Sequence, residues 1–220
     1  MTSMAPEVKQ TAKQGRAAQR NRTRKAIVDA AMRLMAGGHT PSVNEVIEAA
    51  QVSRRTIYMY FPTFEHLLLD ATLGALAAAT IEPAAAAAPS RDAAKQIEKL
   101  SRAVNAASSG TMHLGRALIR LTIDAAEPPD GAPRRGYRRV GWIERVLEPV
   151  RGQMTKREFE RLVSALSVLM GWEAMVILQD VRGLGPKEAE DVLAFASRAA
   201  VDAALRGARR PARRRVDQLR

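Results

Sequence analysis

Apolar residues recur at helical intervals along most of the chain, and the recurrences break at short runs rich in glycine, proline and threonine. Ile27, Ala30, Ala31, Leu34 and Met35 form a first stripe, with Thr23 as its expected N-cap and Gly37-Gly38 as its end. Pro41 disfavours helix at Thr40 and delivers the chain to Ser42. From Ser42 to Phe61 the sequence reads SVNEVIEAAQVSRRTIYMYF, which predicts two short helices and a tight turn. Ser42 and Glu45 form a capping-box pair, and Val43, Val46, Ile47 and Ala50 share one face of the first helix. Ser53 caps the second, in which Ile57 and Phe61 lie four residues apart on the buried side.

The later segments read the same way. Phe64, Leu67, Leu68 and Leu76 predict a helix over 63–81, with His66 on its surface, and Pro83 and Pro89 mark a break around five alanines. Further helices are predicted over 92–107, 111–126 and 137–150, with a loop at 127–133. Thr155 and Glu158 form a second capping box, opening the longest predicted helix, which runs to about Val181. That helix is apolar around so much of its circumference that it must bury a second surface. Gly183 to Pro186 end it, and Pro186 fits the first turn of a last helix reaching about Leu205.

These periods predict an all-α fold, and an apolar fraction of 46% dominated by alanine and leucine agrees. There is no cysteine, so disulfides and cysteine-based metal sites or nucleophiles are excluded. His39, His66 and His113 share no local motif, and Gly183-Leu-Gly185 follows no strand, so neither a metal site nor a nucleotide loop is indicated. No apolar run approaches the ~20 residues that span a bilayer, and no signal core opens the chain; a cytoplasmic protein is the expectation.

The net charge of +12 changes the picture through its distribution. Residues 1–25 hold seven cations and one acid, residues 206–220 hold seven arginines and one acid, and the stretch between is balanced. Basic ends on a neutral body point to a polyanion, and neither end has an apolar face for a membrane. Either end could equally be a solvated, solubilising extension.

On the second short helix, Arg54, Arg55, Thr56, Tyr58 and Met59 fall on the face opposite Ile57 and Phe61. Cations and hydroxyls on an exposed helix suit reading of the major groove, although the same face would also suit a plain solvated helical hairpin. VSRRTIYMYF, preceded by a short apolar helix and followed by an amphipathic one, resembles the TetR family of bacterial transcription regulators from about Thr23 to Leu69. The resemblance implies a three-helix head containing a helix-turn-helix at about 43–62. The organisation expected is a basic flexible arm over 1–22, a DNA-binding domain over 23–70, a ligand-binding and dimerisation domain over 71–205, and an Arg-rich tail over 206–220.

Arg54 and Arg55 are the expected base contacts, since arginine can pair bidentately with guanine. Thr56, Tyr58 and Tyr60 match family positions that touch phosphates, and Ser42 and Ser53 sit at helix N-termini that favour anions. Two residues depart from the family pattern: Phe64 stands where lysine is frequent, and Gln51 where glycine is common in the turn. Residues 26–70 hold three cations against five acids, so the basic arm is expected to supply much of the affinity for DNA.

The family further implies a homodimer through the last two helices, about 155–182 and 186–205, with Ala196, Ala199, Ala200 and Ala203 permitting close approach; both helices could instead pack within one chain. It also implies a small-molecule effector in the body, with Met112, Leu118, Leu121, Trp142, Val146 and Met170 as possible lining, residues that are more often plain core. No cofactor or metal is expected. The function read from the sequence is a sequence-specific, ligand-responsive repressor. A non-specific architectural DNA binder is the alternative, and a helical binding protein or enzyme has no supporting motif.

Overall fold

A computed structural model describes residues 5–37, 39–86, 92–125 and 135–208. Every regular element among them is helical. The chain divides into two compact units, Met1–Leu76 with Ala117–Arg135, and Ala77–Arg116 with Gly136–Arg220.

The first unit contains α1 (Ala5–Ala36), α2 (Val43–Ala50), α3 (Arg54–Tyr60) and most of α4 (Phe64–Thr80). Helix α1 begins far upstream of Thr23, which lies inside it, its Oγ1 donating to the Gln19 carbonyl at 3.1 Å. Thr23 is therefore not a cap, and residues 5–22, expected as a flexible arm, continue the first helix. A serine or threonine that bonds back to the carbonyl four residues earlier is compatible with a helix interior, which is why the local cap signal misled.

Helix α2 has the predicted capping box: Ser42 accepts from the Glu45 amide, and Glu45 Oε2 accepts from the Ser42 amide at 2.7 Å. Ser53 caps α3 by accepting from the Thr56 amide at 3.1 Å. Ile27, Val28, Ala31, Val46, Ile57, Phe61, Leu67 and Ala71 form the buried core of this head. Leu76 was expected at a buried position on α4 and is instead exposed.

The second unit begins with α5 (Glu82–Ala85), a short helix where only a linker was expected; Pro83 sits in its first turn and Ala85 is buried. Of the linker expected around Pro83 and Pro89, residues 87–89 lie outside the described residues, as do the whole loop expected at 127–133 and residues 209–220 of the tail expected over 206–220. Asp92 caps α6 (Ala93–Gly110) by accepting from the Lys95 amide at 2.9 Å. Helix α7 (Met112–Ile123) starts in this unit and belongs to the first from Ala117 on; α8 (Tyr137–Leu147) is in the second again and leads into a 3-10 turn over Glu148–Gln153 where continuous helix was expected. Pro149 lacks the amide an α-helix would use there.

The longest predicted helix is broken. Helix α9 (Lys156–Val168) opens with the predicted Thr155–Glu158 box, and the chain bends by 51° before α10 (Trp172–Val176) and a π turn over Ile177–Val181. Gly171 makes the break, at φ 101° and ψ −172°, a region essentially confined to glycine. Its amide donates to Asn105 Oδ1 on α6 at 2.8 Å, and Asn105 Nδ2 donates to the Leu169 carbonyl at 3.3 Å. Arg139 covers the same turn, donating to the Ser167 carbonyl at 2.7 Å and to Glu173 at 2.9 Å. The apolar pattern ran straight through this point because apolar residues are buried on both sides of the break and within it, as Leu166, Met175 and Met170 are.

Helix α11 (Pro186–Ala208) starts at the predicted proline and packs Leu193, Ala194, Ser197 and Val201 inward. The larger core of this unit gathers Ile97, Leu100, Trp142, Ile143, Leu147, Phe159, Leu166 and Met170 among others. A buried polar chain crosses it: Ser197 Oγ donates to Ser101 Oγ at 3.1 Å, and Asn105 Nδ2 donates to Ser101 Oγ at 3.2 Å. No single helix among the described residues is long and apolar enough to cross a membrane.

Candidate nucleic-acid interface

The candidate site is the outer face of α3 with the turn before it. Ile57 and Phe61 anchor α3 in the head, both fully buried, and this leaves Arg54, Arg55, Tyr58 and Met59 exposed on the other side. Helical spacing alone therefore separates the holding residues from the reaching ones.

The turn that aims α3 is strained. Gln51 closes α2 in the left-handed conformation, φ 52° and ψ 46°, the one non-glycine residue with positive φ among the described residues. Its amide bonds back to the Glu48 carbonyl, and the Val52 amide to the Ile47 carbonyl, each at 3.2 Å. This is the position at which helices usually end in glycine. The turn keeps the glycine geometry without the glycine.

Arg54 reaches back across the turn and donates to Asn44 Oδ1 on α2 at 2.8 Å. The guanidinium is thereby oriented before any partner arrives. Arg55, the other proposed base contact, is exposed. Ser53 and Thr56 pair through their hydroxyls at 2.8 Å while Ser53 also caps the helix, so both serve the helix end. Ser42 is likewise engaged in its capping box. Tyr58 is exposed, whereas Tyr60 is half-buried and packs against the head core. Phe64, which replaces the frequent lysine, also packs there.

Electrostatics reinforce the α2 end. Hydrogen bonds from Ser42, backbone first and hydroxyl second, hold the Glu45 carboxyl down at about 2, and His39, 3.2 Å away, adds to them. The loop histidine thus has a partner, a carboxylate on the following helix.

Behind α3 lies a polar cluster that local sequence did not disclose. Arg24 on α1 approaches Asp70 on α4 at 3.4 Å, with both side chains almost wholly buried. The Arg24 guanidinium also stacks over the Phe61 ring at 4.9 Å. His66, expected on the surface, is buried; its ring meets Phe61 edge-on at 5.5 Å, and neither ring nitrogen has a hydrogen-bond partner. Burial pushes its pKa down, the Asp70 charge pulls it up and Arg24 pushes it down again. Arg24 and His66 pack on Phe61, the residue at which α3 ends, and Asp70 pairs with Arg24, so the cluster positions α3 from behind. Arg24 and Asp70 are 46 residues apart, and no local pattern connects them.

The six residues expected to line an effector pocket fall in both units, Leu118 and Leu121 in the first and Met112, Trp142, Val146 and Met170 in the second. Trp142 and Met170 lie in the larger core with Val146 packed on it, and Met112 packs on a smaller cluster with Met175 and Leu193. Leu118 is buried and Leu121 exposed on α7. Among the described residues no group of three or more histidine or acidic side chains is placed to hold a metal ion.

No curated protein and no solved structure matches the chain closely enough to count as similar. Residues 27–71 match the family model described as bacterial regulatory proteins, tetR family. The matched span contains every one of the eight buried residues of the head core, both caps, the left-handed turn and the exposed face of α3. Over these residues the chain carries a TetR-type DNA-binding head, which supports its reading as a DNA-binding transcription regulator.

Proposed function

We propose that the chain acts in the cytoplasm as a homodimeric repressor of a palindromic operator, released by a small molecule that binds its body. The observation that carries the dimer is a set of uncovered apolar side chains on the last helices. Phe195 is 75% exposed and Val181 77%, with Val168, Ile177 and Val192 also open. Val192, Phe195, Ala199 and Ala203 follow one another at helical spacing along α11, opposite the buried Leu193, Ala194, Ser197 and Val201. Large apolar groups aligned on one face are characteristic of a surface that another chain covers. A second copy supplies the same stripe by twofold symmetry.

In this reading Arg54 and Arg55 contact base edges, and Thr56, Tyr58 and Tyr60, with the helix ends at Ser42 and Ser53, set register on phosphates. Two α3 helices must stand roughly 34–36 Å apart to enter successive major grooves. An effector shifts operator occupancy only by its difference in affinity for the two head spacings.

The test is selection of bound duplexes from a random library at moderate salt, followed by Arg55→Ala and Tyr58→Phe on the recovered site. The expected result is a palindrome, with Arg55→Ala relaxing base preference by about 1–3 kcal/mol at one position and Tyr58→Phe weakening every sequence alike. Tight binding without an enriched motif would replace this reading with a non-specific architectural one. Phe195→Glu should yield a monomer in sedimentation; an unchanged dimer would reject this surface.

A further inference from the structure

We propose that the N-terminal half of α1 is a second DNA-binding element, a rigid basic rod that lies along the phosphate backbone beside each operator half-site. The inference rests on the DNA-binding reading above and adds a site to it.

The first observation is an electrostatic deficit. Residues 26–70, which hold the reading helix, carry three cations against five acids. One of those cations, Arg54, already donates to Asn44. A net-acidic head gains little from releasing counterions, and that release supplies much of protein–DNA affinity. The missing charge has to come from elsewhere in the chain.

The second observation is where the charge sits and what backbone carries it. Seven cations fall within residues 1–25. Arg24 is committed to Asp70 inside the head, and Lys25 pairs with Asp29. Lys9, Lys13, Arg16 and Arg20 recur at intervals of four, three and four, the spacing that places residues along one side of a helix. The backbone over these positions is helical and continuous with the part of α1 that builds the head core. A helix rises 1.5 Å per residue, so positions 9 to 20 span roughly 16 Å. One strand of duplex DNA presents about one phosphate charge per 3.4 Å of axis, so a rod of that length runs past about five phosphates of a strand, enough to pair with each of its cations.

Helix also decides the mode of contact. An extended arm could thread the minor groove, but a continuous helix with its register set by the head cannot fold into it, and it remains at the backbone. Before residue 19 the large apolar residues are Met1, Met4 and Val8 alone, so there is no apolar face for a membrane or a partner helix. A polyanion is the partner this segment fits, and the polyanion at hand is the DNA the head already holds.

The experiment uses the full chain with Lys9, Lys13 and Arg16 changed together to Gln, compared with a charge-preserving K9R/K13R/R16K variant. Binding to the selected operator is followed by fluorescence anisotropy between 50 and 200 mM salt, with long and with trimmed flanks. Three lost phosphate contacts per protomer, six per operator-bound dimer, should lower the slope of log K against log salt by about 5.4, which shrinks the affinity ratio across that salt range by roughly 2,000-fold. Operator and scrambled DNA should weaken alike, the charge-preserving variant should match wild type, and trimming the flanks should abolish the difference. Circular dichroism checks that helicity is retained. An unchanged slope, a change in base preference, or stronger binding of wild type to anionic vesicles than to flanking duplex would overturn the proposal. If wild type selects no operator at all, the failure belongs to the DNA-binding reading; a selected operator with an unchanged slope fails the rod alone.

Discussion

The side-chain oxygen of Asn105 accepts the backbone amide of Gly171 at 2.8 Å, and its amide group donates to the Leu169 carbonyl and to Ser101. One buried side chain on α6 thus satisfies the backbone groups that a broken helix leaves open. Asn105→Ala removes all three bonds and strands a buried amide and a buried carbonyl. The expected loss is about 3 kcal/mol, read as a lower urea midpoint with an unchanged slope. Gly171→Ala should be at least as severe, since a Cβ there would lie 2.7 Å from the Arg139 guanidinium and the backbone would be forced into forbidden space. A loss under 1 kcal/mol for both would mean that the break is not held by these contacts.

The turn at Gln51 makes the opposite prediction. A left-handed residue with a Cβ costs about 1 kcal/mol relative to glycine, partly offset by the greater freedom of glycine in the unfolded chain. Gln51→Gly should therefore stabilise the protein by about 0.5 kcal/mol, seen as a small rise in thermal midpoint. A drop would show that the glutamine side chain contributes more than its backbone strain removes.

Acid should weaken the head in two separate windows. The Glu45 carboxyl is held at about 2, below its ordinary 4.5, so its contribution is complete above about 4.5 and is lost as pH falls toward 2. Glu45→Gln should flatten the stability profile in that range. His66 is a base whose pKa is lowered by burial, so the fold favours its neutral form. Its penalty begins as pH falls below 6.5, the value for the unfolded chain, and grows until the folded form protonates too. His66→Leu should remove the fall in thermal midpoint between pH 6.5 and 5; a variant that declines like wild type would locate the sensitivity elsewhere.

The sequence disclosed what is local and hid what is not. Ser42, Glu45, Ser53, Thr155 and Glu158 were readable because a cap and its partner lie three residues apart. The buried and exposed faces of α3 followed from spacing alone. The start of α1 was misread because Thr23 carries the chemistry of a cap within a helix that goes on bonding. The break at Gly171 escaped because its causes, Asn105 and Arg139, lie on other helices and leave the apolar rhythm intact. His66 was misplaced for the same reason: burial by Phe61, Arg24 and Asp70 is a property of packing, which no short window contains.

The ion pairs of the second unit bear on how the molecule meets its surroundings. Arg102 faces Asp191, Arg116 faces Asp180, Arg139 faces Glu173, Arg145 faces Glu82 and Arg198 faces Glu98. Each arginine is answered by a carboxylate within the same unit, so its field fades within a few ångströms of the surface. The high isoelectric point therefore describes the ends of the chain far better than its middle. On a sulfonated or heparin resin, the folded middle would be nearly silent and the salt needed for elution would be set by the termini. Clipping those termini should turn a strongly retained protein into a nearly unretained one, at the cost of the N-terminal half of α1 alone among the helices.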